Sequence, residues 1–245
     1  MNKKYIGNIG VSVISKERFL NEFVEKMKCG SKKNIFFLND HCFNIAQKDA
    51  DYLKYLNNAD YVLNDGLGIT LGAKLFNIEL KENLNGTDLM PQVLKKCEKL
   101  DASIFLLGAK EENIEAAVSN IQSSYPHLKI AGYHHGYFNS DERIIEKINQ
   151  SKADVLIVGM GVPLQEKFIG QYDQEINSPV RFAVGAYIDF ASGNVRRAPK
   201  LMRKLNLEWL FRMALEPKRM WKRNFIGHGL FFINVLRLKK QNNTK

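Results

Sequence analysis

Two kinds of apolar pattern alternate along the chain. Short unbroken runs recur at IFFL 35–38, YVLN 61–64, IFLLG 104–108, LKIAG 128–132, VLIVG 155–159 and RFAVG 181–185. Continuous rather than alternating hydrophobicity predicts strands buried on both faces, as in a parallel sheet. Between the runs lie stretches of helical period, such as Ile114, Ala117, Val118 and Ile121, or Ile45, Tyr52, Leu53 and Leu56. Strand and helix therefore alternate, which predicts an α/β fold: a Rossmann-like, mostly parallel sheet with helices on both faces. In such a sheet the ligand crevice lies beyond the carboxyl ends of the strands, so functional residues belong just after each apolar run.

After YVLN come Asp65, Gly66, Leu67 and Gly68, then an apolar helical stretch through Phe76. A carboxylate there stands at the sheet edge beside a helix N-terminus, with glycines permitting a sharp turn and close ligand approach. Asp65 either takes a proton from an attacking hydroxyl or caps the following helix. The run VLIVG continues through Met160 to Lys167, and Gly159 and Gly161 spell G-x-G. Leu164 stands where a dinucleotide fingerprint needs its third glycine, which argues against a nicotinamide site. Leu164, Phe168, Ile169 and Tyr172 give the next helix an apolar side and place Gln165 and Glu166 in its first turn, as helix-start groups or as ligand contacts. Gly108 with Ala109, Gly136 with Tyr137, and Gly185 with Asp189 are similar turns after strands. Asn85-Gly86-Thr87-Asp88 reads as a turn and N-cap for a helix from Leu89.

Metal chemistry finds little purchase. Asp49-Ala50-Asp51 spells the D-x-D of metal-dependent sugar transferases, but the pattern puts it inside a helix, where residues two apart do not share a face. His41 follows Asp40 in a predicted loop, and His134-His135 lacks an i, i+4 partner. There is no P-loop and no serine elbow. Neither a metal nor a cofactor is expected. Cys29, Cys42 and Cys97 are widely spaced and suggest neither a disulfide framework nor a zinc site. With no apolar run of about 18 residues and no signal-peptide core at the start, a cytoplasmic chain is expected.

Charge changes the picture in one place. The 245 residues carry a net +10, yet residues 194–245 hold 14 Lys+Arg against Glu208 and Glu216, leaving 22 Lys+Arg against 24 Asp+Glu in residues 1–193. The expected organisation is an α/β body with a nucleotide-sized crevice over 1–193 and a basic, amphipathic helical appendage over 194–245. In that appendage Trp209, Phe211, Trp221 and Phe225 interleave with Arg203, Arg212, Arg219 and Arg223. The mixture suits an anionic lipid surface, where each cation adds about 1 kcal/mol. Alternatives are a basic helical hairpin packed on the body, or nucleic acid. The latter is disfavoured by the many large aliphatics and the lack of any reader motif.

Together, NDGLGI 64–69, NGTDLMP 85–91, FLLG 105–108, HGYF 135–138, GMGVPLQE 159–166, DFASGNVRRAP 189–199 and LEWLFRMALEPKRMWKR 207–223 resemble the WecG/TagA/CpsF glycosyltransferase family, in order through nearly the whole chain. The resemblance implies inverting, metal-independent transfer of an N-acetylmannosamine-type sugar from a UDP donor to undecaprenyl-diphosphate-linked N-acetylglucosamine, in teichoic-acid or surface-polysaccharide synthesis. It implies a cytoplasmic enzyme, peripheral on the inner face of the plasma membrane, that self-associates into a homo-oligomer. By the same resemblance Asp65 is the catalytic base, and Asn39 is the polar residue after the early strand. Gly66, Thr87, Asp88, Gly108, Tyr137, Gly159, Gly161, Gln165, Glu166, Gly185 and Asp189 surround the donor crevice. Arg212, Arg219 and Arg223 reach the lipid diphosphate. Members near the teichoic-acid branch often carry Thr two residues before that Asn, where this chain has Phe37. The residues alone also allow a nucleotide-sugar epimerase or reductase on the same fold, or a basic nucleic-acid adaptor.

Overall fold

The structure, a computed structural model, describes residues 3–199, 202, 208–215 and 227–243. The chain opens with an antiparallel hairpin of β1 (Lys3–Ile6) and β2 (Ile9–Ser12), in which Ile6 faces Ile9 across the two-residue turn Gly7-Asn8. Six parallel strands form the main sheet: β3 (Lys33–Leu38), β4 (Tyr61–Asn64), β5 (Ser103–Gly108), β6 (Lys129–His134), β7 (Val155–Gly159) and β8 (Val180–Ala183). Their spatial order is β4-β3-β8-β7-β5-β6. Around them run α1 (Lys16–Lys28), α2 (Asp40–Ala46), α3 (Ala50–Asn58), α4 (Leu67–Leu75), α5 (Gly86–Lys99), α6 (Glu111–Ser124), α7 (Asp141–Ser151), α8 (Leu164–Gln171) and α9 (Tyr187–Ala191). Two described helices of the basic tail complete the chain, α10 (Glu208–Leu215) and α11 (Gly227–Asn243).

The unbroken apolar runs divide by alternate residues between two cores, because successive strand side chains point to opposite faces. Phe36, Leu38, Val62, Phe105, Leu107, Leu156 and Val158 join α2, α3, α4, α7 and α8 on one face. Ile35, Phe37, Leu63, Ile104, Leu106, Val155 and Ile157 join α1, α5, α6 and α9 on the other. The run at 128–132 departs from this expectation. It forms β6, an edge strand bonded to β5 alone, whose residues alternate between exposed and half-buried. With no second neighbour, its outer flank meets solvent.

Two further differences concern helix boundaries. The periodic stretch from Ile45 to Leu56 is broken at Gln47–Asp49, and Asp49 caps α3 by accepting from the Tyr52 N–H at 3.0 Å. Asp49 thus stands at a helix start rather than inside a helix, paired with Lys167 at 2.7 Å. His41, expected in a loop, lies in the first turn of α2.

The sheet fixes where ligands can enter. From β5 the chain passes through α6 outward to β6, whereas from β7 it passes through α8 inward to β8. Connections that diverge from neighbouring strands leave a crevice at their carboxyl ends. Part of the tail belongs to the core. Phe231 and Val235 of α11 are fully buried, and the Phe231 ring meets Phe43 edge-on at 5.0 Å. Asn44 of α2 donates to the Gly227 carbonyl at 2.8 Å and accepts from Asn234 at 2.9 Å.

Candidate active site

Asp65 follows β4 directly. Its N–H donates to the Leu38 carbonyl at 2.8 Å, carrying the β3–β4 ladder one residue beyond the strand. Gly66, not Asp65, is the N-cap of α4, and no side chain caps that helix. Gly66 holds φ +102°, a conformation that L side chains avoid, and its N–H donates to Asn83 Oδ1 at 2.8 Å. Asp65 is therefore held half-buried at the sheet's carboxyl edge, ahead of a helix N-terminus. A carboxylate so placed can accept a proton from a hydroxyl entering the crevice.

Asn39, at the end of the neighbouring strand β3, caps α2 by accepting from the Cys42 N–H at 3.0 Å. Beside it Asp40 pairs with His228 of α11, and the start of α4 passes close by, with Gly68 facing the Asp40 side chain. The body of the sheet and the basic tail thus meet one residue from Asn39. Sequence reasoning missed Asp40, His228 and Asn83, because each finds its partner through the fold and leaves no local spacing to read.

The strands at the crevice form a second group. A Cβ on Gly108 would overlap the Gly159 carbonyl oxygen, so only glycine fits where β5 and β7 diverge. The Ala109 N–H donates to that same carbonyl at 3.1 Å, and the Gly136 N–H donates to the Ala109 carbonyl at 2.9 Å. Gly161 and Gly185 follow β7 and β8. Gln165 bridges their loops: its N–H donates to the Gly161 carbonyl at 3.1 Å, and its Oε1 accepts from the Gly185 N–H at 3.0 Å.

In α8, Phe168 and Ile169 are buried as expected and Gln165 and Glu166 stand in the first turn, but Leu164 departs from the expected apolar side. Leu164 is 62% exposed, whereas Gln165 and Glu166 are 2% and 0% exposed. Gln165 Nε2 donates to Glu166 Oε1 at 2.8 Å, so the polar pair satisfies part of its own hydrogen bonding inside the fold. Glu166 sits behind Gln165 and has no surface facing the crevice. Burial pushes its carboxyl up to about 8. Burial, and after it the Glu166 carboxyl, pushes the Cys42 thiol up to about 12, and Asp65 adds to the rise. Cys42 therefore lies within electrostatic reach of both carboxyls.

Other expected residues are more dispersed. Asn85 caps α5, which begins at Gly86 instead of Leu89. Thr87 and Asp88 stand in its first turn, Asp88 accepting from Asn85 Nδ2 at 2.9 Å and pairing with Arg197 at 2.9 Å. Asp189 of α9 accepts from Asn113 Nδ2 at 2.8 Å, linking α9 to the start of α6. Tyr137, past the edge strand β6, is 71% exposed. Arg212 lies on α10 with its side chain outside the described residues, as are Arg219 and Arg223 altogether. Phe37 is buried, its ring against the backbone of Gly86. Among the described residues no cluster of His, Cys, Asp and Glu could hold a metal ion, and no helix is long and apolar enough to cross a membrane.

Comparison with known proteins bears on the same residues. The model of the Glycosyl transferase WecG/TagA/CpsF family matches residues 4–245. The chain is similar to the N-acetylglucosaminyldiphosphoundecaprenol N-acetyl-beta-D-mannosaminyltransferase of Bacillus subtilis (strain 168), 38% identical over 199 residues covering 81% of this chain and 77% of that one. The protein of that name from Staphylococcus aureus (strain NCTC 8325 / PS 47) is 33% identical over 214 residues, covering 86% and 83%.

Proposed function

The chain belongs to the WecG/TagA/CpsF family of glycosyltransferases, and from that premise we propose that it moves N-acetylmannosamine from UDP onto undecaprenyl-diphosphate-linked N-acetylglucosamine. The observation that carries the reading is Asp65, fixed at the open end of β4 by the β3–β4 ladder and by the turn at Gly66. The activity for which the relatives are named supplies the transferred sugar and the lipid-linked acceptor, and the UDP carrier is part of our reading.

The chemistry is one in-line displacement with inversion. Asp65 accepts the proton of the attacking acceptor hydroxyl as that oxygen bonds to the anomeric carbon and the bond to UDP breaks. Negative charge then grows on the departing diphosphate. In our reading no metal offsets it; backbone N–H groups around Gly161, the N-terminal end of α8 and the arginines of the tail do so. Residues 1–193 carry the donor crevice. Residues 194–245 act as a basic appendage in which Arg212, Arg219 and Arg223 grip the lipid diphosphate at the inner face of the membrane. The buried contacts of α11 anchor that appendage to the wall beside Asp65. A homo-oligomer in solution would cover apolar surface that the membrane covers in use.

The test is a panel of UDP-sugars incubated with a short-chain diphospholipid N-acetylglucosamine acceptor, reading UDP release and product mass with and without EDTA. One N-acetylmannosamine added per acceptor, at a rate indifferent to EDTA, is expected. Failure of every donor overturns the activity; loss in EDTA overturns the metal-free displacement.

A further inference from the structure

Glu166 has no part in the displacement as written, yet it is the most deeply sealed carboxyl at the crevice. Its Oε1 accepts from Gln165 Nε2 at 2.8 Å, while its Oε2 is buried without a hydrogen-bond partner. Among the described residues, the groups within electrostatic reach of it include no cation. They are Cys42 of α2 and Tyr52 of α3, whose phenol is buried against the Cys42 thiol, with Asp65 beyond Cys42. Lys167, next along α8, turns outward to Asp49. A carboxylate enclosed by a thiol, a phenol and an amide has only the Gln165 amide, its own backbone N–H and the helix start to offset its charge, too little against full burial, whereas a neutral acid needs no counter-ion.

The enclosed acid has a structural use through its acceptor oxygen, and neutrality is what lets that oxygen stay enclosed. An amide that presents Oε1 to the Gly185 N–H must send Nε2 the other way, and Glu166 Oε1 receives it there. Reversing the amide would set two N–H groups face to face at Gly185. We propose that Glu166 is a positioning residue: held as the neutral acid, it locks the Gln165 amide, and Gln165 locks the loops after β7 and β8 at the spacing the crevice needs. Glu166 touches no substrate, and its proton stays on it through turnover. When it ionises, the enclosed charge forces the pocket to open or admit water, and the bridge from Gln165 to Gly185 loosens.

The proposal rests on the transferase reading only for its kinetic test. In wild type, kcat/KM falls about tenfold per pH unit above about pH 8, where burial places the carboxyl. Glu166→Gln keeps an acceptor oxygen toward Gln165 but cannot ionise, so the fall disappears. A side chain serving only as packing would leave the same alkaline limb in both proteins, and that result overturns the proposal. Infrared difference spectra of the full-length protein, needing neither substrate nor variant, provide the second measurement. A protonated-acid carbonyl band that persists at about pH 7 and vanishes by about pH 9 is expected; its absence at pH 7 overturns the proposal even if no donor supports transfer.

Discussion

Asp65 and Glu166 both stand just past the carboxyl end of a parallel strand, at or near the head of a helix, and the fold treats them in opposite ways. Asp65 comes one residue after β4, an edge strand, and remains half-buried beside a glycine turn that has open space around it. Glu166 is one turn into α8, after the central strand β7, and is sealed against α2 and α3. A helix N-terminus lies just ahead of the first, whereas enclosure favours the neutral form of the second. In our reading one sheet edge thus supplies a group that takes a proton and another that holds its own.

The largest effect expected is on the open side. Asp65→Asn retains the ladder bond, which is made by backbone, and removes the proposed base. Turnover should fall by about 10²–10⁴-fold, with the thermal midpoint and donor affinity close to wild type. Steady-state kinetics beside a melting curve checks this, and undiminished turnover would move the base elsewhere on the edge. Next in size comes the pH dependence of stability on the closed side. The folded Glu166 carboxyl lies near 8 and an ordinary one near 4.5. Between those values the native state keeps a proton that the unfolded chain has released. Stability from this group therefore falls as pH rises through the window and levels off above it. The difference in unfolding free energy between wild type and Glu166→Gln, from urea titrations at several pH values, should shift against wild type across that window and stay flat outside it.

Gly66→Ala probes the turn instead of the carboxyl. A Cβ there would meet nothing within 4 Å, so the whole cost is backbone strain at φ +102°, about 1–3 kcal/mol. Because Asp65 is the preceding residue, a turnover loss should accompany the stability loss. Urea unfolding and kcat measured on one preparation would separate strain relieved locally from strain passed to the base.

Much of this was legible in the sequence. The runs at 35–38, 61–64, 104–108, 128–132, 155–159 and 181–185 mark all six strands of the main sheet, and the burial on both faces that unbroken apolarity implies fails at β6. Asp65 was legible by the same logic, as the first polar residue past such a run. The hairpin of β1 and β2 went unread, although Gly7-Asn8 between two isoleucines is its signal. Gln165 and Glu166 were legible as first-turn residues of α8, but their burial was not, because helical period assigns apolar residues inward. Here an amide and an acid, bonded to each other and to Gly185, take the inward places, and Leu164 is left outside. The tail hid its structural role for a related reason: its cations dominate the composition, while the residues that anchor it, Phe231 and Val235, come from a short apolar stretch inside it.

Asp88 offers the smallest effect and a control for both carboxyls. It also stands in the first turn of a helix at the carboxyl side of the sheet, but its oxygens already face Asn85 and Arg197, and its side chain is 46% exposed. Water competes for such a pair, and solvent screening leaves it worth about 0.2–1 kcal/mol. Asp88→Asn keeps an oxygen for Arg197 and should lower stability by less than about 1 kcal/mol, with little change in its pH dependence. If it instead reproduced the pH-dependent difference expected of Glu166→Gln, enclosure would not be what sets the two sides apart, and the linkage assigned to Glu166 would have to be shared among the carboxyls of the edge.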